Sequence, residues 1–166
     1  MSVIEENIAS VAKTKMPNAK SKVWQVIVIG SGFAGLGAAI KLREAGITDF
    51  IVLEKSNELG GVWRENTYQS CACDVPSALY SYSFAPNPSW SRVFAEQAEI
   101  KAYLQQTAHD YVVIPHIHMQ QEKTDSAWDQ QAKLWRITTA QQQYQARFVI
   151  MACGPMHEPV YLKING

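Results

Sequence analysis

The stretch from Val23 to Glu54, VWQVIVIGSGFAGLGAAIKLREAGITDFIVLE, decides the fold. It opens with VWQVIVIG, a short apolar run rich in Val and Ile and closed by glycine. Such a run suits a strand buried on both faces. In GSGFAGLGAAIKLREAG, Leu36, Ala39, Ile40 and Leu42 fall near helical spacing, and Gly46 stops the helix. DFIVLEK, Asp49–Lys55, is a second apolar strand. Strand, helix and strand in about thirty residues make a βαβ unit with a parallel pair.

The turn inside that unit carries the chemistry. Gly30-Ser31-Gly32-Phe33-Ala34-Gly35 sits between a predicted strand and a predicted helix, the context that gives a G-x-G-x-x-G pattern its meaning. Gly30 permits the tight turn, Gly32 lets a pyrophosphate approach the backbone, and Gly35 lets the helix pack close to the strand. The free N–H groups and dipole of the helix N-terminus then favour an anion. Glu54 ends the second strand about 20 residues beyond Gly35, where an acid accepts hydrogen bonds from both ribose hydroxyls of an adenosine and repels a 2′-phosphate. The competing reading is a glycine-rich turn that only packs a helix on a sheet; strand, helix and acid in register speak against it. The ligand implied is a dinucleotide, FAD or NAD. Gly60-Gly61, followed by Trp63, offers another close backbone approach just after the acid. A flavin dinucleotide has a use for it, while an ordinary Gly-Gly turn is the alternative.

Outward from this unit the chain changes character. Residues 56–92 hold three prolines, Gly60-Gly61 and a crowd of aromatics from Tyr80 to Trp90, with little periodicity. A long loop of this composition inside a compact domain is expected to be functional. Glu96–Asp110 reads as a helix with Ile100, Tyr103 and Leu104 on one face. Tyr111–Met119, Trp135–Ala140 and Tyr144–Met151 read as three strands with Gln-rich turns between them. The expected fold class is therefore α/β: a Rossmann-type parallel sheet with a small antiparallel meander near residues 111–150. Residues 1–22 form an N-terminal arm, mobile or weakly helical, and residues 23–166 form the domain.

Composition narrows the partners. The 166 residues contain 47% hydrophobic side chains, enough for a core. Lys+Arg and Asp+Glu both total 15, so no charge field argues for nucleic acid or an anionic membrane. Charged residues make up 18%, below the roughly 25% of a typical domain, which suggests surface covered by something else. Three cysteines cannot close a disulfide set, no apolar run is long enough to span a membrane, and no signal pattern opens the chain. A reducing, cytoplasmic setting is expected.

Several features have bland readings. Cys71-Ala72-Cys73 lacks the second ligand pair of a zinc site. His116 and His118, alternating on a predicted strand, share one face without a third ligand, so no metal is expected. Cys153 reads as a buried small residue at a strand end, and His157 as a surface histidine in a turn. Trp24, Trp128 and Trp135 read as core or strand-face residues. Tyr80, Tyr82 and Phe84 alternate, either as one buried strand face or as the lining of a site.

The chain from about Val23 onward resembles the N-terminal part of class B flavoprotein monooxygenases, the group of Baeyer–Villiger and flavin-containing monooxygenases. The matching stretches are VIVIGSGFAGLGAAIKLREAG, IVLEK, ELGGVWRENTY, CDVPSALYSYSF, FAEQAEIKAYL and VIMACGPMHEPV. The resemblance implies that Gly30, Gly32, Phe33, Ala34, Gly35, Glu54 and Lys55 hold the ADP half of FAD. It implies that Gly61, Val62 and Trp63 line the path to the flavin, and that Ala152 and Gly154 belong to the second flavin signature. Asp74 matches an acid near the flavin ring, the one catalytic candidate, and Tyr80 falls in the same wall. Two departures stand out: Gln69-Ser70 where the family commonly has Pro-Gly, and Cys153 where it usually has Thr. Such enzymes reduce FAD with NADPH and use O2 to oxygenate a small organic substrate, by Baeyer–Villiger oxidation of a ketone or by N- or S-oxygenation. The second glycine loop, which holds NADPH, and the returning C-terminal segment are missing from residues 23–166. The expected partner is thus the remaining C-terminal part of the same enzyme, and the chain alone is expected to be inactive. Two alternatives are an FAD-dependent disulfide or quinone reductase and a dinucleotide-binding module without activity.

Overall fold

A computed structural model describes residues 22–156, 160, 161 and 164. All of the expected arm except Lys22 lies outside these residues, and so does His157. The described elements are β1 (Val23–Ile29), α1 (Phe33–Glu44), β2 (Phe50–Leu53), α2 (Val62–Glu65), α3 (Gln97–Asp110), β3 (Ile117–His118), β4 (Lys123–Asp129), β5 (Leu134–Thr139) and β6 (Gln143–Met151).

They build one six-stranded sheet in the order β3-β2-β1-β6-β5-β4. β2 and β6 both pair parallel with β1, from opposite sides, and β3 pairs parallel with β2. β5 and β4 continue the sheet antiparallel from β6. Because β1 has a crossover partner on each side, the loops leaving its end and that of β6 part from one another. This is the crevice where ligands bind in open α/β sheets. β2 and the Val26–Ile29 part of β1 are apolar and buried because both faces are covered. Val26, Val28, Phe50 and Val52 face α1 and α3, joined by Leu36, Ala39, Ile40, Ile100 and Leu104. Ile27, Ile29, Ile51 and Leu53 face the other way, joined by Ile137, Tyr144 and Ala146. As expected, Gly46 ends α1: it adopts φ +75, and its N–H bonds Arg43 O at 2.9 Å.

The antiparallel part differs from the sequence expectation in two ways. Tyr111–Met119 is not a strand except at Ile117–His118. Val112 has φ 53, and Pro115, which has no N–H to donate, lies in a 3₁₀ turn over Ile114–His116. The two histidines consequently do not share a face. His116 stacks on Phe50 with ring centroids 4.2 Å apart, on the helix side, whereas His118 meets Trp24 and Tyr144 on the other. Second, β4 occupies a segment expected to be a turn. KTDSAWD is too polar to announce a strand, but as the sheet's outer strand it needs only the cross-strand contact of Trp128 with Trp135 (5.6 Å) and the Arg136–Asp129 ion pair. Trp24 and Trp135 are half-buried strand-face residues, while Trp128 is exposed.

Residues 66–96 form an ordered loop closed by side chains on backbone carbonyls. Ser77 Oγ accepts from Ala95 N (2.8 Å) and donates to Val93 O (3.0 Å). Tyr103 donates to Ala85 O, Tyr111 to Phe84 O and Tyr82 to Phe33 O. Tyr80, Tyr82 and Phe84 lie in this loop and not in a strand. Burial pushes the Tyr82 phenol well above its ordinary pKa, with Tyr103 beside it adding to the shift. Among the described residues no helix is long and apolar enough to cross a membrane.

Candidate functional site

At the ends of β1, β2 and β6 the backbone is stitched so tightly that only glycine fits. Gly30 N bonds Leu53 O (2.8 Å) and Ala152 N bonds Ile29 O (2.9 Å), which ties the three strand ends together. A Cβ on Gly35 would lie 1.9 Å from the Gly30 carbonyl oxygen, so α1 could not start so close to β1 with any other residue. The α1 N-terminus has Gly32 at its cap, no side-chain cap bond and no acidic residue in its first turn. Its positive end is therefore left to an external anion. Gly61, at φ +56, brings its backbone against Gly32; a Cβ there would sit 3.0 Å from Gly32 Cα. The Gly60-Gly61 turn is thus built into the glycine loop, and Gly60 N bonds Ser31 O (3.1 Å).

Glu54 stands at the base of this loop, 5% exposed. Its Oε2 accepts from Ser31 N (2.9 Å) and Ser31 Oγ (2.6 Å), and its Oε1 from Ser56 N (2.9 Å). Its backbone is held by His118 O (3.0 Å) on one side and by Gln121 N (2.7 Å) on the other. A carboxylate offers roughly four acceptor positions. Three are already taken from within the protein, which leaves one for an outside donor unless Ser31 turns its hydroxyl away.

These groups surround a cavity of about 270 Å³. Gly30, Gly32, Phe33, Ala34, Glu54, Lys55, Gly61, Val62, Trp63, Ala152 and Gly154 all border it, so the structure gathers eleven of the sequence-derived candidates around one space. Gly35 does not border it; its role is the contact with Gly30. Tyr80 and Asp74 lie outside it. Tyr80 stands behind the wall, with its ring 4.9 Å from Phe33 and its hydroxyl accepting from Trp63 Nε1 at 3.1 Å. Asp74 is exposed and close enough for its charge to help hold the Tyr80 phenol above its ordinary pKa, an effect led by burial and extended by Cys73. Cys153 corrects an expectation: it is exposed and borders the cavity, because the chain has left β6 and the Gly30 turn occupies the space behind it.

Sequence reasoning missed Ser31, Glu65 and the run Gln121-Glu122-Lys123, all bordering the cavity. Ser31 was legible as the residue between Gly30 and Gly32. The other run arrives from the β3–β4 connection, far along the chain, with no motif of its own. Among the described residues no group of three or more His, Cys, Asp or Glu is arranged to hold a metal ion.

The strand order, the glycine turn on a helix N-terminus and the buried acid define a domain of Rossmann type. More specifically, the chain belongs to the pyridine nucleotide-disulphide oxidoreductase family, which residues 27–166 match. It is 49% identical over 142 residues to a Baeyer–Villiger monooxygenase of Streptomyces coelicolor, covering 86% of this chain and 27% of the relative. It is 41% identical over 159 residues to a Baeyer–Villiger monooxygenase of Pseudomonas aeruginosa, covering 95% and 30%. An oxidized steroid monooxygenase solved with NADP superposes with a TM-score of 0.80 at 33% identity, over 87% of this chain and 29% of that one. OTEMO, solved with FAD and NADP, gives 0.81 at 29% identity, over 89% and 29%. The resemblance read from the motifs is borne out. The chain spans less than a third of the length of these curated relatives.

Proposed function

We propose that this chain supplies the ADP-holding half of an FAD site in a flavin-dependent monooxygenase that uses NADPH and O2 on a small organic substrate. The observation that carries the reading is the buried Glu54 carboxylate set against a glycine turn and an uncapped helix N-terminus, at the crevice where the sheet's strand order diverges. The residues fit the group. The α1 N-terminus and the bare Gly30–Gly32 backbone face the pyrophosphate. Glu54 accepts from one ribose hydroxyl with its remaining position, fewer than the two the sequence suggests. Phe33, Val62 and Trp63 form the apolar wall leading away from the adenosine, with Tyr80 and Asp74 beyond it toward the flavin. When bound, FAD supplies the redox and oxygen chemistry; these residues bind, orient and exclude water.

The similarity to monooxygenases of both solved and curated kinds supports the reaction class, oxygenation of a ketone, nitrogen or sulfur. The disulfide-reductase alternative needs a redox pair at the flavin. Cys71 and Cys73 are buried, are separated by one residue and do not border the cavity. NADPH and most of the substrate site belong to other parts of the longer enzyme, so the chain alone does not turn over. Its setting is the cytoplasm, in keeping with three free cysteines.

Flavin fluorescence titration with FAD and FMN tests the reading, because FMN keeps the flavin and one phosphate but lacks the adenosine and the second phosphate. FAD is expected to bind at least about tenfold more tightly, the value of one charged hydrogen bond. Equal binding of the two, or NADPH oxidation by the chain alone above a free-flavin control, contradicts it.

A further inference from the structure

Next to Glu54 the cavity carries a cation that is already engaged. Lys55 borders the cavity, and its Nζ lies 3.2 Å from Glu65 Oε1. Glu65 also borders the cavity, from α2 on the far side of the Gly60-Gly61 turn. The same Oε1 takes Arg64 NH2 at 2.8 Å. Oε2 of Glu65 is buried and has no hydrogen-bond partner among the described residues. The carboxylate is thus turned wholly toward two cations, at an uncompensated desolvation cost to its other oxygen. The other charged groups bordering the cavity are Glu54, Glu122 and Lys123.

The place of Lys55 gives this pair a consequence. A basic residue beside the ribose acid is what accommodates a 2′-phosphate in dinucleotide sites that accept one. Left free, Lys55 would offset the repulsion that Glu54 exerts on such a phosphate. Bound to Glu65, it offers little positive charge to the ribose edge, and a second carboxylate stands beside it. Resting on the dinucleotide reading above, we propose that Glu65, by holding Lys55 in an ion pair beside the cavity, is a specificity-determining residue that makes the ribose site select dinucleotides with a free 2′-hydroxyl over 2′-phosphorylated ones.

The test compares NAD⁺ and NADP⁺, which differ only in the 2′-phosphate, as ligands of the purified 166-residue chain by ligand-observed NMR. FAD binding is measured alongside by fluorescence. The native chain is expected to favour NAD⁺. Glu65→Gln, which keeps the side-chain shape, is expected to narrow that preference about fivefold, and more at low salt than at high salt. Adding Lys55→Met to Glu65→Gln is expected to restore the native ratio, which assigns the effect to Lys55 and not to Lys123. An unchanged ratio in Glu65→Gln with FAD still bound overturns this proposal and leaves the FAD reading standing. A gain that survives Lys55→Met overturns it as well. Failure of the native chain to bind FAD or either probe overturns the reading and the proposal together.

Discussion

The β1–α1–β2 unit and the 66–96 loop flank the same cavity wall, and they are held by opposite means. In the first, backbone packs on backbone: Gly35 against Gly30, Gly61 against Gly32, strand ends stitched by N–H to carbonyl bonds. In the second, side chains reach backbone groups far along the chain: Ser77 to Ala95, Tyr103 to Ala85, Tyr82 to Phe33. Each region is fragile in its own way. The unit fails when a single atom is added, the loop when a single hydroxyl is removed.

The largest effect should come from adding that atom. Gly35→Ala places a Cβ 1.9 Å from the Gly30 carbonyl oxygen and 3.5 Å from Ala152 Cβ, with nothing flexible to yield. We expect a loss of about 3 kcal/mol or more, seen as a fall in Tm of roughly 6–12 °C. Gly46→Ala is the control. It has the left-handed backbone that Gly35 lacks, φ +75, and nothing within 4 Å, so it should cost only about 1 kcal/mol. Equal losses would break the distinction between crowding and backbone strain.

Next comes the loop. Ser77→Ala leaves the buried Ala95 N–H without its acceptor at 2.8 Å, and a cost of about 1–3 kcal/mol is expected. Hydrogen exchange at Ala95 should quicken while exchange within β1 stays slow. Uniform quickening would show that loop and unit open together. A smaller effect is expected at the sheet's outer edge. Trp128→Ala removes the half-exposed contact with Trp135 and an exposed hydrogen bond from Nε1 to Gln130 Oε1, together worth about 0.2–1 kcal/mol.

The smallest is a pH effect. Burial, with His116 nearby, holds the His118 imidazole below its ordinary pKa of about 6.5. The unfolded chain therefore binds that proton more readily. His118 contributes its full stability above about pH 6.5 and loses it as pH falls toward the folded value. His118→Gln should flatten the fall in Tm between about pH 7 and 5 by roughly 1–2 °C, and an identical slope in the variant would remove His118 as the cause.

The same contrast explains what the sequence disclosed. VWQVIVIG, the three glycines and Glu54 are local in sequence and each has one structural use, so strand, turn, helix and acid could be placed by residue number. Trp63 and Ala152 also border the cavity, and it was the family resemblance that singled them out. The aromatic loop was legible only as a loop, because whether Tyr82 forms a strand or caps a helix carbonyl depends on a partner 49 residues away. β4 stayed hidden because an outer strand needs no apolar alternation, and with it went Gln121-Glu122-Lys123. Cys153 was misplaced because the last residues of a strand and those just beyond it look alike in sequence; β6 ends two residues earlier, at Met151.

The central claim is that Glu54 and the glycine turn hold the adenosine end of FAD. FAD titration of the native chain beside Glu54→Arg, followed by flavin fluorescence, tests it most directly. FAD is expected to bind at least about tenfold more weakly to the variant, through loss of a charged acceptor at the ribose. Equal affinities in the two chains would contradict it.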